Sequence, residues 1–102
     1  MDGLRCYINA AHSYGMKAYL ATLTPILGWR TDAPFRQELC ARVNEWIRTS
    51  KEADGVVDFA AATRDPAEHR ALKAECDSGD HLHPSNEGAR AMAYSIPEEY
   101  LR

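Results

Sequence analysis

The sequence predicts an α/β fold with parallel strands, and three observations predict it. Apolar residues recur at helical spacing in two separated stretches, two short apolar runs read as strands, and helical and strand segments alternate along the chain. Helix, strand, helix, strand, helix is the rhythm of a parallel sheet covered by helices.

Each element has a local reason. Leu4, Ile8 and Ala11 lie on one helical face, and Gly15 supplies the residue that accepts positive φ where that helix ends. Residues 17–23, KAYLATL, follow as a strand. The segment ILGWRTD carries turn chemistry, and Asp32 or Thr31 is expected to cap the next helix with Pro34 in its first turn. Phe35, Leu39, Val43 and Trp46 or Ile47 mark the apolar face of that helix, which runs to about Ser50. Residues 51–55 form a polar break, residues 56–59 a short buried strand, and Asp65-Pro66 a turn into a short helix. A last helix starts near Ser85, its natural N-cap, and weakens at Pro97.

Length and composition exclude several classes. With 102 residues and 45% apolar content the chain is one region of an ordinary globular type, without repeats or linkers. A net charge of −3, with Lys and Arg scattered, argues against nucleic acid as a partner. No run approaches the roughly 18 apolar residues of a membrane span, and the N-terminus lacks the basic-then-apolar layout of a secretion signal. The chain reads as beginning inside folded structure, and nothing specifies its compartment. Cys6, Cys40 and Cys76 are widely spaced and odd in number, so buried or free thiols are expected rather than disulfides or a zinc ribbon.

The chemistry concentrates in DSGDHLHPSNEG, residues 77–88. In an open parallel sheet, ligands sit beyond the carboxyl ends of the strands, and this loop is placed to close over that end. Gly79 permits a sharp turn, so Asp80 swings back to the His83 ring, and Pro84 keeps His83 extended before the helix. A carboxylate there holds the proton on Nδ1 and leaves Nε2 to accept another, the orienting role of the acid in a Ser-His-Asp triad. His81 is expected to face solvent or neighbouring backbone. Alternate His81 and His83 with Asp77, Asp80 and Cys76 also have the makings of a zinc loop, a weaker reading. No metal and no cofactor is expected. Trp29 is a weak candidate for the wall of a substrate pocket in residues 24–33, against simple burial on the following helix.

Asp80-His-Leu-His83-Pro84 resembles the DxxHP block of the SGNH hydrolases, the GDSL-type lipase and esterase family. Residues 12–25, 42–48, 55–59 and 79–93 are similar in order and context to that family's later helices, strands and final loop, so the resemblance covers essentially the whole chain. It implies a flavodoxin-like three-layer αβα sandwich and hydrolysis of a carboxylic ester, often an acylated carbohydrate or lipid. It also implies that Asp80 and His83 are the triad acid and base. The family's Gly-Asp-Ser block, and the glycine and asparagine blocks that complete its oxyanion hole, have no counterpart here. Residues 1–102 therefore resemble the C-terminal half of the domain, a partial sandwich without a nucleophile. No serine replaces it: Ser78 is too close to Asp80, Ser85 caps a helix, and Ser13 and Ser50 lie at helix ends. Two functions follow. One is an ester hydrolase whose missing half comes from a longer parent chain or another polypeptide. The other is a non-catalytic module or relic that self-associates.

Overall fold

In the computed structural model, which describes residues 1–102, the chain forms four α-helices and two strands. Helix α1 (Asp2–Ser13) ends as Gly15 predicts. Gly15 takes φ 74°, its N–H donates to His12 O at 3.0 Å, and Met16 N–H donates to Ala11 O at 2.9 Å, a Schellman closure. Strand β1 (Tyr19–Ala21) pairs in parallel with β2 (Gly55–Val57), Leu20 opposite Val56. These two strands are the whole sheet, so the α/β class and parallel pairing hold in partial form. Helix α2 (Pro34–Thr49) makes the crossover, α3 (Phe59–Thr63) follows β2, and α4 (Asn86–Tyr94) follows the histidine loop. Short 3₁₀ turns occupy Ala74–Cys76 and Glu98–Leu101.

Three expected boundaries are corrected. Neither Asp32 nor Thr31 caps α2: Ala33 takes that position with φ −154°, because Pro34 forces an extended residue before it. The Asp32 carboxylate instead accepts Gln37 Nε2–H at 2.8 Å. The second strand stops at Val57, since Asp58 turns the chain and accepts Ala61 N–H at 3.1 Å as the N-cap of α3. The segment after Asp65-Pro66 is a side-chain-closed turn rather than a helix, with Asp65 Oδ1 accepting Ala67 N–H at 2.7 Å.

A polar network locks the strand ends to the helices. Thr22 Oγ1 donates to Asp58 Oδ1 at 2.9 Å and accepts Ala60 N–H at 2.9 Å, while Arg48 forks onto both Asp58 oxygens at 3.0 Å. The Arg48 guanidinium lowers the Asp58 carboxyl to about 2 against the opposing effect of burial. Asn44, from α2, takes both backbone groups of Leu23: its Oδ1 accepts Leu23 N–H at 2.7 Å and its Nδ2 donates to Leu23 O at 3.0 Å.

The apolar core is small. Only 11 of 102 residues are buried, Ile8, Ile47, Val57 and Leu72 among them, so most side chains keep water on one side. On α2, Ile47 is buried and Val43 and Trp46 are half-buried, but Phe35 and Leu39 are 64% and 56% exposed. The expected apolar face is real, yet its N-terminal half reaches past a sheet too narrow to cover it. The radius of gyration, 14.4 Å, exceeds the roughly 13 Å of a compact chain this long, and the molecule is a slab 19 Å thick.

Candidate active site

The histidine loop is closed at its neck and then filled with its own hydrogen bonds. Ser78 N–H donates to His83 O at 3.1 Å and Ser85 N–H to Cys76 O at 2.8 Å, an antiparallel bridge of Asp77 with Pro84. Ser85 is the predicted N-cap of α4, its Oγ accepting Gly88 N–H at 3.1 Å. A Cβ at Gly88 would lie 2.6 Å from Cys76 O and 3.0 Å from Pro84 Cβ, so glycine is what lets α4 press against the neck.

Inside this frame Asp80 and His83 meet. His83 Nδ1–H donates to Asp80 Oδ2 at 2.5 Å, while Asp80 Oδ1 accepts the N–H groups of Leu82 and His83, each at 2.9 Å. The His83 ring, the two amides and the Ser78 hydroxyl at 3.1 Å hold the Asp80 carboxyl well below the usual carboxylate range. A carboxylate against Nδ1 fixes the proton on that nitrogen, so the lone pair sits on Nε2. Nε2 has no hydrogen-bond partner in the protein, and the His83 side chain is 71% exposed. The arrangement is an imidazole oriented by a carboxylate at Nδ1, with Nε2 unpartnered.

His81, half-exposed, is tied down on two sides. Its Nδ1–H donates to Asp77 Oδ2 at 2.5 Å, and its ring lies against Gly28 in the 24–33 loop. The ring meets both solvent, being 52% exposed, and the neighbouring backbone of Gly28, and the Asp77 carboxylate is a further partner. Burial pushes the Asp77 carboxyl up, and the amides of Gly79 and His81 with the His81 ring outweigh it, leaving it lowered. The two imidazoles are thus tied to two different carboxylates. No group of three or more His, Cys, Asp or Glu side chains converges as metal ligands would.

The serines are engaged away from Nε2. Ser78 donates to the acid end of the pair, Ser85 Oγ to Glu75 O at 2.5 Å, Ser13 Oγ to Ala10 O at 2.7 Å and Ser95 Oγ to Met92 O at 2.6 Å. The Ser50 hydroxyl is buried without a partner. Cys40 and Cys76 have their thiols pushed up by burial, the reverse of activation, and the three cysteines are unpaired.

Beyond the carboxyl end of β1 lies a cleft of about 270 Å³, whose lining includes Pro25, Ile26, Arg48, Arg64, His69 and Arg70. Neither Asp80 nor His83 lines it, so the Asp80–His83 pair and the cleft are not one site. Trp29 does not line it either; it is half-buried, with the Arg36 guanidinium 6.0 Å from its ring centroid. No helix is long and apolar enough to cross a membrane.

A family model described as GDSL-like Lipase/Acylhydrolase matches residues 2–96, a span that takes in every α-helix and both strands. No curated protein matches the chain. With nearly the whole sequence matched on an α/β framework of parallel strands, the chain belongs to the GDSL-like lipase/acylhydrolase family of ester hydrolases.

Proposed function

We propose that this chain supplies the acid and base of an ester-hydrolysing centre, with His83 as general base and Asp80 as the acid that orients it. The observation that carries the reading is the 2.5 Å Nδ1–H bond to Asp80 with Nε2 unpartnered. In acyl transfer the base takes the proton of an attacking hydroxyl through Nε2 and returns it to the leaving alcohol. Asp80 keeps the imidazole in the tautomer that can do both and stabilises the imidazolium between the two steps.

In this reading residues 1–102 act as a single region equivalent to the C-terminal half of an SGNH domain. The nucleophilic serine and the oxyanion donors come from a longer parent chain or from another polypeptide. The substrate is a carboxylic ester, of an acylated carbohydrate or a lipid, and Trp29 offers an aromatic wall from the loop that His81 touches. The unpaired edge of β1 supports docking of that other half. The same edge supports the second reading, a self-associating module that has no catalytic role.

A serine-directed fluorophosphonate tests the first reading directly. The purified 102-residue chain should remain unlabelled and show no specific turnover. Stoichiometric labelling that disappears in His83→Ala would mean that the chain contains its own activated serine, and the divided-site reading would be wrong.

A further inference from the structure

Residues 77–83 hold two carboxylate–imidazole pairs built to one plan. Asp77 Oδ1 accepts the N–H of Gly79 at 2.8 Å and of His81 at 3.0 Å, while Asp77 Oδ2 accepts His81 Nδ1–H at 2.5 Å. The exposures differ: the Asp77 side chain is 11% exposed and that of Asp80 44%. A carboxylate facing inward must be fully partnered, and Asp77 finds its partners in the loop it anchors.

The geometry of His81 shows what those bonds restrain. Its backbone has φ 64°, a left-handed conformation unfavourable for a residue with a Cβ. Its ring rests on Gly28, itself at φ 93°, and a Cβ at Gly28 would lie 3.2 Å from ring atoms Cγ and Cδ2. This contact joins the histidine loop to the loop that follows β1. Asp77 belongs to both parts of the device, because its backbone forms the neck bridge with Pro84 and its side chain holds the tip.

His81 also lies between Asp80 and the two amides that Asp80 gathers. If residue 81 relaxed to negative φ, the N–H groups of Leu82 and His83, both 2.9 Å from Asp80 Oδ1, would swing away from that oxygen. The His83 ring would then lose the frame that aims it. We propose that Asp77 and His81 are positioning residues: their pairing straps the histidine loop onto Gly28 and so fixes the direction in which His83 presents Nε2. The proposal deepens the reading of His83 as general base and rests on it.

The test reads loop geometry by ¹⁵N NMR on the intact 102-residue chain, without needing turnover. Asp77→Asn keeps size and one acceptor oxygen but removes the charge. His81→Gly removes the ring while accepting φ 64°, so backbone strain is not introduced. His81→Phe restores a ring over Gly28 without an Nδ1–H. Asp77→Asn and His81→Gly should shift His83 away from its Nδ1–H tautomer and speed exchange of the Leu82 and His83 amides by about tenfold, with α2 and β2 amides at wild-type rates. His81→Phe should recover only part of that loss. An unchanged His83 tautomer with unchanged Leu82 and His83 exchange in both variants overturns the proposal. Faster exchange throughout α2 and β2 overturns it too, since the role would then be general stability. If Asp77→Asn does not fold, His81→Gly, which removes only a half-exposed ring, decides alone. Failure of the base reading shows elsewhere, as turnover surviving His83→Ala in a reconstituted hydrolase. In that hydrolase His81→Gly should lower kcat with little change in KM.

Discussion

In the histidine loop, residues 76–85, polar groups find their partners inside the loop or at its neck, and the His81 ring on Gly28 ties it to the loop after β1. Along the outer edge of β1 the opposite holds. Ala18 O and Thr22 N–H bond towards β2, so by the alternation of a strand Tyr19, Ala21 and Leu23 turn their backbone groups the other way. Asn44 satisfies Leu23, and on this outer side no second strand meets the backbone groups of Tyr19 or Ala21. Apolar side chains on the helices are left without cover as well, Phe35, Leu39 and Tyr7 lying largely in water. The difference teaches that a carboxylate–imidazole pair can be fully formed beside a sheet of only two strands. What short-range bonds do not supply is a hydroxyl partner for Nε2, which the proposed hydrolytic reading places on another segment.

The largest effect should come from breaking the complete region. In a domain reconstituted with the other half that the proposed function calls for, His83→Ala should remove most activity, and Asp80→Asn should lower kcat by several orders of magnitude. The analogous change in the Ser-His-Asp template, which disturbs the tautomer, costs ~10⁴-fold. Steady-state kinetics checks both, and near-wild-type kcat in either variant rejects the assigned role.

The incomplete region predicts association. An unpaired strand edge recruits another strand, and a broad exposed apolar face favours contact. At micromolar concentration the isolated chain should pair with another copy, or with the polypeptide that supplies the other half. Sedimentation equilibrium decides it: a monodisperse monomer that unfolds cooperatively would mean that these 102 residues close their own core.

How much of this was legible in the sequence follows the same division. Gly15, Ser85 and the Asp80–His83 pair were readable because each acts on groups one to four residues away, where chain geometry leaves few alternatives. Helix α3 was missed because Asp58 has two readings, strand end or N-cap, and only Thr22 and Arg48, distant in sequence, select the second. The pairs His12 with Asp54, at 2.8 Å, and Arg48 with Asp58 depend on how β1 and β2 align, which periodicity does not encode. Asp77 with His81 was local enough to find. Its i, i+4 spacing suggests a helix, however, and only the positive φ at His81 makes it a loop contact.

Where the loop meets α4, a single methyl group should be felt. Gly88→Ala sets a Cβ against Cys76 O and Pro84 Cβ, and neither can yield without shifting the neck bridge. Overpacking of this kind costs roughly 1–3 kcal/mol, and the upper part of that range is expected because one contact is a backbone carbonyl. Chemical denaturation measures it, and an alanine variant as stable as wild type would contradict the close packing described. Asn44→Ala is the matching change at the strand edge, stripping two bonds from Leu23. Roughly 2 kcal/mol should be lost, with more edge exposed for association; weaker self-association in this variant would place the contact surface elsewhere.

The smallest effect separates the network at the strand ends from the histidine loop by pH. Asp58 has its folded pKa lowered to about 2, chiefly by the Arg48 guanidinium. A lowered carboxylate stabilises the fold fully above its unfolded pKa, about 3.9, and loses that contribution as pH falls through the folded value. The loss therefore lies between about pH 4 and the folded value of about 2. Because the Asp58 side chain is 38% exposed, solvent screening limits the gain to about 1 kcal/mol or less. Asp58→Asn should lower Tm at neutral pH and flatten this acid limb. The Asp80–His83 bond should persist in the variant, since its donors and acceptors all lie within residues 78–83. Thermal denaturation in steps from pH 5 to pH 2, with the His83 tautomer followed in parallel, makes the comparison. If Asp58→Asn alters the His83 tautomer as well, the two regions are one cooperative unit, and the independence of the loop from its sheet is lost.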